Sequence, residues 1–241
     1  MTTILITGSS RGIGKAIADL LRSRGATVLT HGSTAHEPGM IGADLSDPPS
    51  PQLLWQQALE QAGGRIDVLV NNAGLFSATP LDSSDIAWLD AWEDTLRINL
   101  TSAAQLSRFA VRHWLEREPG GDGLRGRIVH VASRAGHRGD SPDHWHYAAA
   151  KGGMLAMHKT IARAYAGQGI LSYAIAPGFV DTAMAGDYLA SRGGPGLLAD
   201  IPLGRVGEPG EIAQIAAFCA LDAPPSMTGA TIDANGASYV R

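Results

Sequence analysis

The stretch TILITGSSRGIGKAIADLLRSR, residues 3–24, decides the fold of this chain. It begins with a short apolar, β-branched run, passes through a glycine-rich turn and ends in an amphipathic helical pattern. It therefore predicts a strand, a tight turn and a helix N-terminus in direct succession. Glycines let a backbone approach a pyrophosphate closely, and the unpaired N–H groups of a helix N-terminus favour its negative charge. The stretch thus predicts a phosphate-binding turn.

Two well-known phosphate-binding motifs do not fit this turn. A P-loop requires GxxxxGK[ST], but Ser9 stands at its first glycine position and neither Ser nor Thr follows Lys15. The GxGxxG fingerprint fails because Ile17 occupies the position of its third glycine. The spacing that remains is G-x-x-x-G-x-G over residues 8–14.

Apolar runs alternate with amphipathic ones along the rest of the chain. This alternation predicts an α/β fold in which a doubly wound parallel sheet of about seven strands carries helices on both faces. Nothing in residues 1–241 indicates a second domain. We predict strands near 3–7, 26–30, 40–43, 66–70, 127–132, 170–175 and 230–233, and helices near 13–24, 50–62, 85–117, 146–167 and 208–221.

Composition excludes several classes of protein. The formal net charge is −4 and the basic residues are scattered, so the chain has no patch typical of nucleic-acid binding. The one cysteine, Cys219, cannot form an internal disulfide and is expected in the core. No segment has the apolar length of a membrane span, and a strand that begins at residue 3 leaves no room for a signal peptide. These features favour a cytoplasmic protein without membrane contact.

Tyr147 and Lys151 stand four residues apart in HYAAAKGGM, so they share one face of a predicted helix. A phenol with a pKa near about 10 is a poor acid at neutral pH. An ammonium about 4 Å away would favour the phenolate by roughly 4 kcal/mol, or about three pKa units. Ser133, fourteen residues before Tyr147, would donate to a substrate oxygen. The set predicts carbonyl reduction, although the Tyr-Lys spacing alone also fits an ordinary surface helix.

Together these motifs resemble the short-chain dehydrogenase/reductase family, whose cofactor motif is TGxxxGxG and whose active site combines Asn, Ser, Tyr and Lys. Residues 7–14 match that motif at every fixed position, and residues 71–74 match the family's NNAG. The resemblance runs from Thr2 to Arg241 and is strongest to 3-oxoacyl-(acyl carrier protein) reductases. It implies a Rossmann-type fold.

The resemblance also implies a site at the carboxyl edge of the sheet, where open α/β sheets bind ligands. Its catalytic residues would be Asn99, Ser133, Tyr147 and Lys151. The cofactor-binding residues that it implies are Gly8, Ser10, Arg11, Gly12, Ile13, Gly14, Ser33, Asp44, Leu45, Asn71, Ala73, Gly74, Tyr147, Lys151, Pro177, Gly178, Val180 and Thr182.

The roles that the family implies start with Tyr147, which gives a proton to the alkoxide formed by hydride transfer to a ketone. Lys151 binds the nicotinamide ribose and lowers the pKa of Tyr147, Asn99 positions a water, and Thr182 fixes the carboxamide. Taken singly, other interpretations stay open: Asn99 could kink its helix, Ser133 could belong to a turn, and Thr182 could cap a helix.

The end of the second strand indicates the cofactor. A fold that prefers NAD usually places a carboxylate there, but the sequence reads HGST at 31–34. Arg11 could face a 2′-phosphate with Ser33 as a further donor, which favours NADP(H). NAD(H) stays possible because Glu37 lies in a short segment, with Pro38 and a glycine, that could fold back to the ribose. That segment is too short for the usual helix.

The substrate should meet residues 134–146 and a lid over 183–206, whose glycines allow movement and whose apolar residues fit an acyl chain or a ring ketone. The candidate substrate residues are Ser133, His144, Trp145, Met184 and Tyr188. The histidines and aspartates of 137–146 could suggest a metal. We predict none, because hydride transfer needs none and no cysteine supports a site.

The most consistent function is NADPH-dependent reduction of a ketone, a 3-oxoacyl thioester or a related carbonyl compound, to a secondary alcohol. One alternative is NAD-dependent oxidation of a secondary alcohol or sugar, and another is a non-catalytic dinucleotide-sensing module on the same fold. The partner is then a small-molecule or acyl-thioester substrate. The resemblance also implies a homotetramer formed through the helices at 85–117 and 146–167.

Overall fold

A computed structural model describes residues 2–182 and 194–241. Its seven strands form one parallel sheet in the order β3-β2-β1-β4-β5-β6-β7. The chain first steps outward from β1 to β3 and then returns to the other side of β1, which confirms the doubly wound arrangement. The strands are β1 Thr3–Ile6, β2 Thr27–Gly32, β3 Ile41–Gly42, β4 Val68–Asn71, β5 Gly126–Val131, β6 Ile170–Pro177 and β7 Thr231–Ala234.

The five predicted helical regions contain helices close to the predicted positions, and two further short helices were not predicted. The helices are α1 Gly12–Ser23, α2 Ser50–Gln61, α3 Asp85–Leu96, α4 Ser102–Leu115, α5 Ala135–Arg138, α6 Trp145–Tyr165, α7 Gly194–Ala199 and α8 Pro209–Ala217. The helix predicted near 85–117 is α3 and α4 joined by a π-helical segment, Arg97–Thr101. No helix lies between β2 and β3, as the shortness of that segment predicted.

Alternating side chains of the central strands bury the two faces of the sheet. Ile4 and Ile6 belong to one core with Ile17 of α1, whereas Leu5 belongs to the other with Leu54 of α2. All five are 0% exposed, and burying an aliphatic side chain of this size stabilises a fold by about 1.5–3 kcal/mol. The register of the sheet is therefore fixed from both sides, and the loops at its edge start from a rigid base.

The carboxyl edge of the sheet opens between β1 and β4, where the strand order reverses. There the Thr7 backbone N–H donates to the Val70 carbonyl (3.0 Å), and the Thr7 hydroxyl oxygen accepts from the backbone N–H groups of Asn72 and Ala73 (3.0 Å each). The last residues of β1 and the residues after β4 are thus held together, and a crevice begins at this point.

Within the described ranges, no helix combines the length and the apolar character needed to span a membrane. The same residues contain no group of three His, Cys, Asp or Glu side chains placed to hold a metal ion.

Candidate active site

The glycine turn that follows β1 depends on glycine at several positions. Gly8 and Gly12 have φ values of 63° and 56°, a region that side chains rarely adopt. A Cβ on Gly14 would lie 2.2 Å from the Gly8 carbonyl oxygen. Helix α1 begins at Gly12, and its N-cap residue Arg11 makes no side-chain capping bond. The start of α1 therefore keeps donors available at the cleft, as an anion-binding turn requires.

Two side chains that the sequence analysis did not single out hold this turn. The Asn72 Nδ2 group donates to the carbonyls of Thr7 and Gly8 (2.9 Å each). His31 Nδ1 accepts from the Gly8 N–H (3.1 Å), and its Nε2 lies 2.9 Å from the Ala43 carbonyl. Burial lowers the pKa of His31, which favours the neutral ring that this pairing requires. The sequence features that could have identified them are the NNAG motif for Asn72 and the end of β2 for His31.

A cleft of about 440 Å³ runs along this edge of the sheet. It brings together almost all of the predicted cofactor residues, together with Ser133. The predicted residues that line it are Gly8, Ser10, Arg11, Gly12, Ile13, Gly14, Ser33, Asp44, Leu45, Ala73, Gly74, Ser133, Tyr147, Lys151, Pro177, Gly178, Val180 and Thr182.

Asn71 is the exception, because the structure does not bring it to the cleft. It is the last residue of β4, and its Nδ2 donates to the Ser107 hydroxyl (3.0 Å) and lies 3.3 Å from His130 Nδ1. Successive side chains of a strand point to opposite faces, so this residue faces α4 and the sheet interior. The next asparagine, Asn72, lines the cleft in its place.

Asn99 lies in the π-helical segment and is 0% exposed. Its Oδ1 accepts from the Leu75 N–H (2.6 Å) and its Nδ2 donates to the Leu75 carbonyl (2.8 Å). A Cβ placed on Gly74 would lie 3.5 Å from Asn99 Oδ1 and 3.6 Å from Lys151 Nζ, so all three meet at one point. Asn99 is not itself among the residues that line the cleft.

Tyr147 and Lys151 lie one turn apart on α6, with Lys151 Nζ 5.8 Å from the centre of the Tyr147 ring. The ammonium donates to the Val131 carbonyl (2.8 Å), and burial lowers the pKa of Lys151 to about 8. Burial raises the pKa of Tyr147 to about 12, although a hydrogen bond with Ser133 opposes the rise. The net rise contradicts the predicted lowering of the Tyr147 pKa, because burial disfavours the phenolate more than the interaction with Ser133 favours it.

Ser133 joins the end of β5 to α5. Its hydroxyl oxygen accepts from the Ala135 N–H (3.1 Å). The hydroxyl also lies close enough to the Tyr147 phenol to oppose the rise of the Tyr147 pKa. The turn role and the position beside the phenol therefore coexist in one side chain, which is 8% exposed.

Phe76, which the sequence analysis did not identify, forms a wall of the cleft beside Tyr147. Its ring stacks on His144 with centroids 4.1 Å apart and meets the Tyr147 ring edge-on at 4.8 Å. His144 lies behind Phe76 and is buried, and Trp145 is 54% exposed and packs edge-on against Trp88. Neither predicted substrate residue lines the cleft. Phe76 separates His144 from the cleft, and Trp145 packs against Trp88 of α3 instead.

Two further substrate candidates, Met184 and Tyr188, lie outside the described residues, as does most of the predicted lid.

At the opposite end of the cleft, Arg11 and Ser33 are exposed and line its wall, whereas Glu37 does not. Asp44 accepts from the Ser46 backbone N–H (2.9 Å) and hydroxyl (2.8 Å), and these bonds hold the pKa of its carboxyl below the ordinary value. Asp44 is thus an ionised acceptor, and Leu45 is buried beside it.

Comparisons with known proteins agree with this arrangement. A family model described as enoyl-(acyl carrier protein) reductase matches residues 8–236. The 3-oxoacyl-[acyl-carrier-protein] reductases FabG of Vibrio cholerae and Escherichia coli are each 34% identical over 249 residues, which cover 98% of this chain and 96% of theirs. A solved structure described as an NAD(P)-dependent gluconate 5-dehydrogenase from Beutenbergia cavernae, with NADP bound at low occupancy, is similar with a TM-score of 0.84. The two chains are 32% identical, and the match covers 98% of this chain and 95% of the chain in the solved structure.

Proposed function

The chain belongs to the short-chain dehydrogenase/reductase family, and on that premise we propose that it catalyses NADPH-dependent reduction of a ketone to a secondary alcohol. It is an NAD(P)-dependent oxidoreductase that acts on CH–OH or C=O groups. The ketone in this proposal is a 3-oxoacyl thioester or a related carbonyl compound. The observation that carries the proposal is that Ser133, Tyr147 and Lys151 line the glycine-turn cleft together, with Tyr147 and Lys151 one helical turn apart on α6.

The residues of the cleft fit NADP(H). The glycine turn is closed by backbone approaches that leave no space for side chains, and it ends at the start of α1, so it would hold the pyrophosphate. Arg11 and Ser33 would hold the 2′-phosphate, and Asp44 and Leu45 would hold the adenine. Glu37 does not line the cleft, which favours NADP(H) over NAD(H). When bound, NADPH supplies the hydride.

The chain's own residues would perform the proton chemistry. Ser133 would donate to the carbonyl oxygen, and Tyr147 would give its proton to the same oxygen as negative charge develops there. Burial raises the pKa of Tyr147, so the phenol carries its proton at physiological pH and would release it only as the more basic alkoxide oxygen develops. Lys151 would bind the nicotinamide ribose hydroxyls and place its charge near Tyr147.

Asn99 would act through the backbone that it holds. By fixing Leu75 it positions the segment that leads to the Phe76 wall, and it meets Lys151 at Gly74. In the family pattern this residue positions a water, and the proximity of Asn99 to Lys151 supports that role here.

The proposal extends to a homotetramer. Helix α3 buries only Thr95 among its residues, and it exposes Ile86 and Leu89 at 76% and 50%. Trp145 of α6 is exposed on the same side, in edge contact with Trp88. An apolar face of this kind fits association between copies of the chain. Light scattering coupled to size exclusion would measure the number of subunits, and a monomer would contradict this part of the proposal.

A second candidate is oxidation of a secondary alcohol, which the similarity to a gluconate 5-dehydrogenase favours. The same Tyr147 would then act as the base. This direction predicts appearance, rather than loss, of reduced cofactor when sugar acids or simple secondary alcohols are supplied.

The deciding experiment follows loss of reduced nicotinamide absorbance with NADPH and, separately, with NADH. Acetoacetyl-CoA and a panel of cyclic and aromatic ketones serve as substrates, and Tyr147→Phe serves as the inactive control. Turnover of acetoacetyl-CoA with NADPH supports the oxoacyl substrate, and turnover of other ketones alone points to a related carbonyl compound. Binding of cofactor without turnover in either direction would favour the dinucleotide-sensing alternative.

A further inference from the structure

His31 lies where the first two strands of the sheet part from each other. The last paired residues of the β1–β2 ladder are Ile6 and Thr30, and the glycine turn then leaves β1. Beyond that pair, the Ser9 N–H donates to the His31 carbonyl (2.8 Å) and the His31 N–H donates to the Ser9 hydroxyl (2.9 Å). Ser9 and His31 are 3% and 2% exposed, so these bonds are shielded from water. The turn is thus tied to the backbone of His31.

The imidazole ring of His31 extends this link to two further parts of the backbone. Nδ1 accepts from the Gly8 N–H (3.1 Å), and Nε2 lies 2.9 Å from the Ala43 carbonyl. A backbone N–H only donates and a carbonyl only accepts, so this pairing requires a neutral ring with its proton on Nε2. Burial lowers the pKa of His31, which favours that neutral form. Each ring nitrogen therefore has a defined backbone partner.

The two partners of the ring lie beside different parts of the expected cofactor. Gly8 begins the turn that would hold the pyrophosphate. Ala43 directly precedes Asp44, whose carboxyl has a lowered pKa and is the acceptor expected at the adenine. Gly8, Ala43, Asp44 and His31 itself all line the cleft. One rigid ring thus sets the spacing between the pyrophosphate side and the adenine side of the site.

We propose that His31 is a positioning residue for the cofactor, which sets the affinity for the dinucleotide by holding the glycine turn and the chain before Asp44 at a fixed separation. The inference rests on the proposed function, which makes NADP(H) or NAD(H) the ligand of this cleft. A site that is organised before its ligand arrives loses less free energy on binding, so releasing either partner of the ring weakens binding. Both cofactors contain the pyrophosphate and the adenine, so NADPH and NADH should be affected equally.

Three substitutions of His31 separate its two ring bonds. His31→Asn places an amide oxygen where Nδ1 lies, so it keeps an acceptor for Gly8 but does not reach Ala43. His31→Gln places an amide nitrogen where Nε2 lies, so it keeps a donor for Ala43 but has no acceptor for Gly8. His31→Leu fills a similar space and keeps neither bond. Calorimetric titration should show the Kd values for NADPH and NADH raised by about 3- to 10-fold in the Asn and Gln variants and by about 10- to 100-fold in the Leu variant.

His158→Leu is the matched control, because His158 is a second buried histidine with both ring nitrogens paired. Its partners are the hydroxyls of Ser172 and Thr231, and it does not line the cleft. The control should lose stability in urea but keep both Kd values, and urea denaturation of every variant shows which ones are folded during the titration. In steady-state assays, His31→Asn should raise the KM for NADPH while changing kcat at saturating NADPH by less than about threefold.

Wild-type affinity in a folded His31→Leu variant would mean that the ring only fills space, and would overturn the inference. Wild-type affinity in both His31→Asn and His31→Gln would overturn it as well, and these two variants decide the matter if His31→Leu does not fold. A change confined to NADPH would also overturn it, because the effect would then lie at the 2′-phosphate. Equal losses of affinity in His158→Leu would assign the effect to a general loosening of the fold.

The titration needs no turnover, so this inference and the proposed function can fail separately. If the cofactors bind but no ketone is reduced, the reductase proposal fails, and raised Kd values in the His31 variants still support the positioning role. If ketones are reduced and the His31 variants keep wild-type affinities, the proposed function stands and the positioning role is removed. A wild-type protein that binds neither cofactor overturns both.

Discussion

Asn99 holds Leu75 at both of its backbone polar groups, with Oδ1 accepting from the N–H at 2.6 Å and Nδ2 donating to the carbonyl at 2.8 Å. The amide therefore replaces a strand partner for a residue that lies just beyond β4. Asn99 is fully buried in the π-helical segment that precedes α4. Its pairing with Leu75 therefore ties this segment to the residues after β4 that line the cleft. Short π-helical segments within α-helices are frequent at functional sites.

Asn99→Ala should lower the free energy of unfolding by about 1–3 kcal/mol, since it leaves the partly buried N–H and carbonyl of Leu75 without their partner. Urea denaturation measures the loss, and cofactor titration should show weaker binding because Leu75 lines the cleft. Thr95→Val is the control. Thr95 is equally buried at the end of α3, but its hydroxyl makes no hydrogen bond, so its replacement should be close to neutral. Equal stability of the two variants would contradict the importance of the Leu75 pairing.

Tyr147→Phe should reduce kcat by at least about 100-fold while leaving NADPH affinity nearly unchanged, because the phenol is needed for proton transfer rather than for binding. Steady-state turnover assays measure kcat, and cofactor titration measures the NADPH affinity. Substantial residual activity would contradict the assigned role.

The pH dependence of the wild type should reflect Lys151. Its pKa is lowered to about 8, so its positive charge is present below that pH and is lost as the pH rises through it. We therefore expect kcat/KM for ketone reduction to fall above about pH 8. Lys159→Met, which alters an exposed lysine of the same helix, should leave this profile unchanged. A flat profile between pH 7 and 10 would show that the charge of Lys151 is not needed.

Acid should destabilise the fold through a buried pair of histidines, His130 and His158. Burial lowers the pKa of His130 from 6.5 to about 3 and that of His158 from 6.5 to about 4. The charges of His158 and Lys151 lower the pKa of His130 further. Below pH 6.5 the unfolded chain binds protons that the folded chain does not, so stability falls as the pH drops towards those values. Each group can contribute at most about 1.4 kcal/mol per pH unit in that range.

Urea midpoints at pH 7 and pH 5 measure this loss. His158→Gln keeps a polar group towards the Ser172 and Thr231 hydroxyls but cannot titrate, so its midpoint should depend less on pH than that of the wild type. An unchanged difference between the two pH values would assign the acid sensitivity to other groups, such as the buried His31.

The sequence could predict the sheet, its doubly wound order and most of the cleft, because these follow from local patterns. The apolar runs set the strands, and the glycine turn can be read from residues 8–14 alone. The position of Asn71 could not be predicted in the same way. Its neighbour Asn72 is chemically identical, and which one faces the cleft depends on where β4 ends.

The raised pKa of Tyr147 could not be predicted from the sequence either, because the spacing indicates that Lys151 is near but does not indicate how deeply either group is buried. The same limit applies to Phe76, because its contact with Tyr147 joins segments that are far apart in the chain.

The preference for NADPH is the last prediction, and it depends on Arg11. This side chain is exposed, lies at the N-cap of α1 without a capping bond and lines the same end of the cleft as Ser33. Arg11→Ala should raise the KM for NADPH by about 10- to 100-fold, the cost of losing a charge-assisted contact with the 2′-phosphate, and should change the KM for NADH by less than about threefold. Lys15→Ala is the control, because Lys15 lies on the next turn of α1, pairs with Asp19 at 2.6 Å and does not line the cleft. Equal changes for both cofactors would mean that Arg11 only supports the turn, and the selectivity would then have to come from Ser33 and the backbone around it.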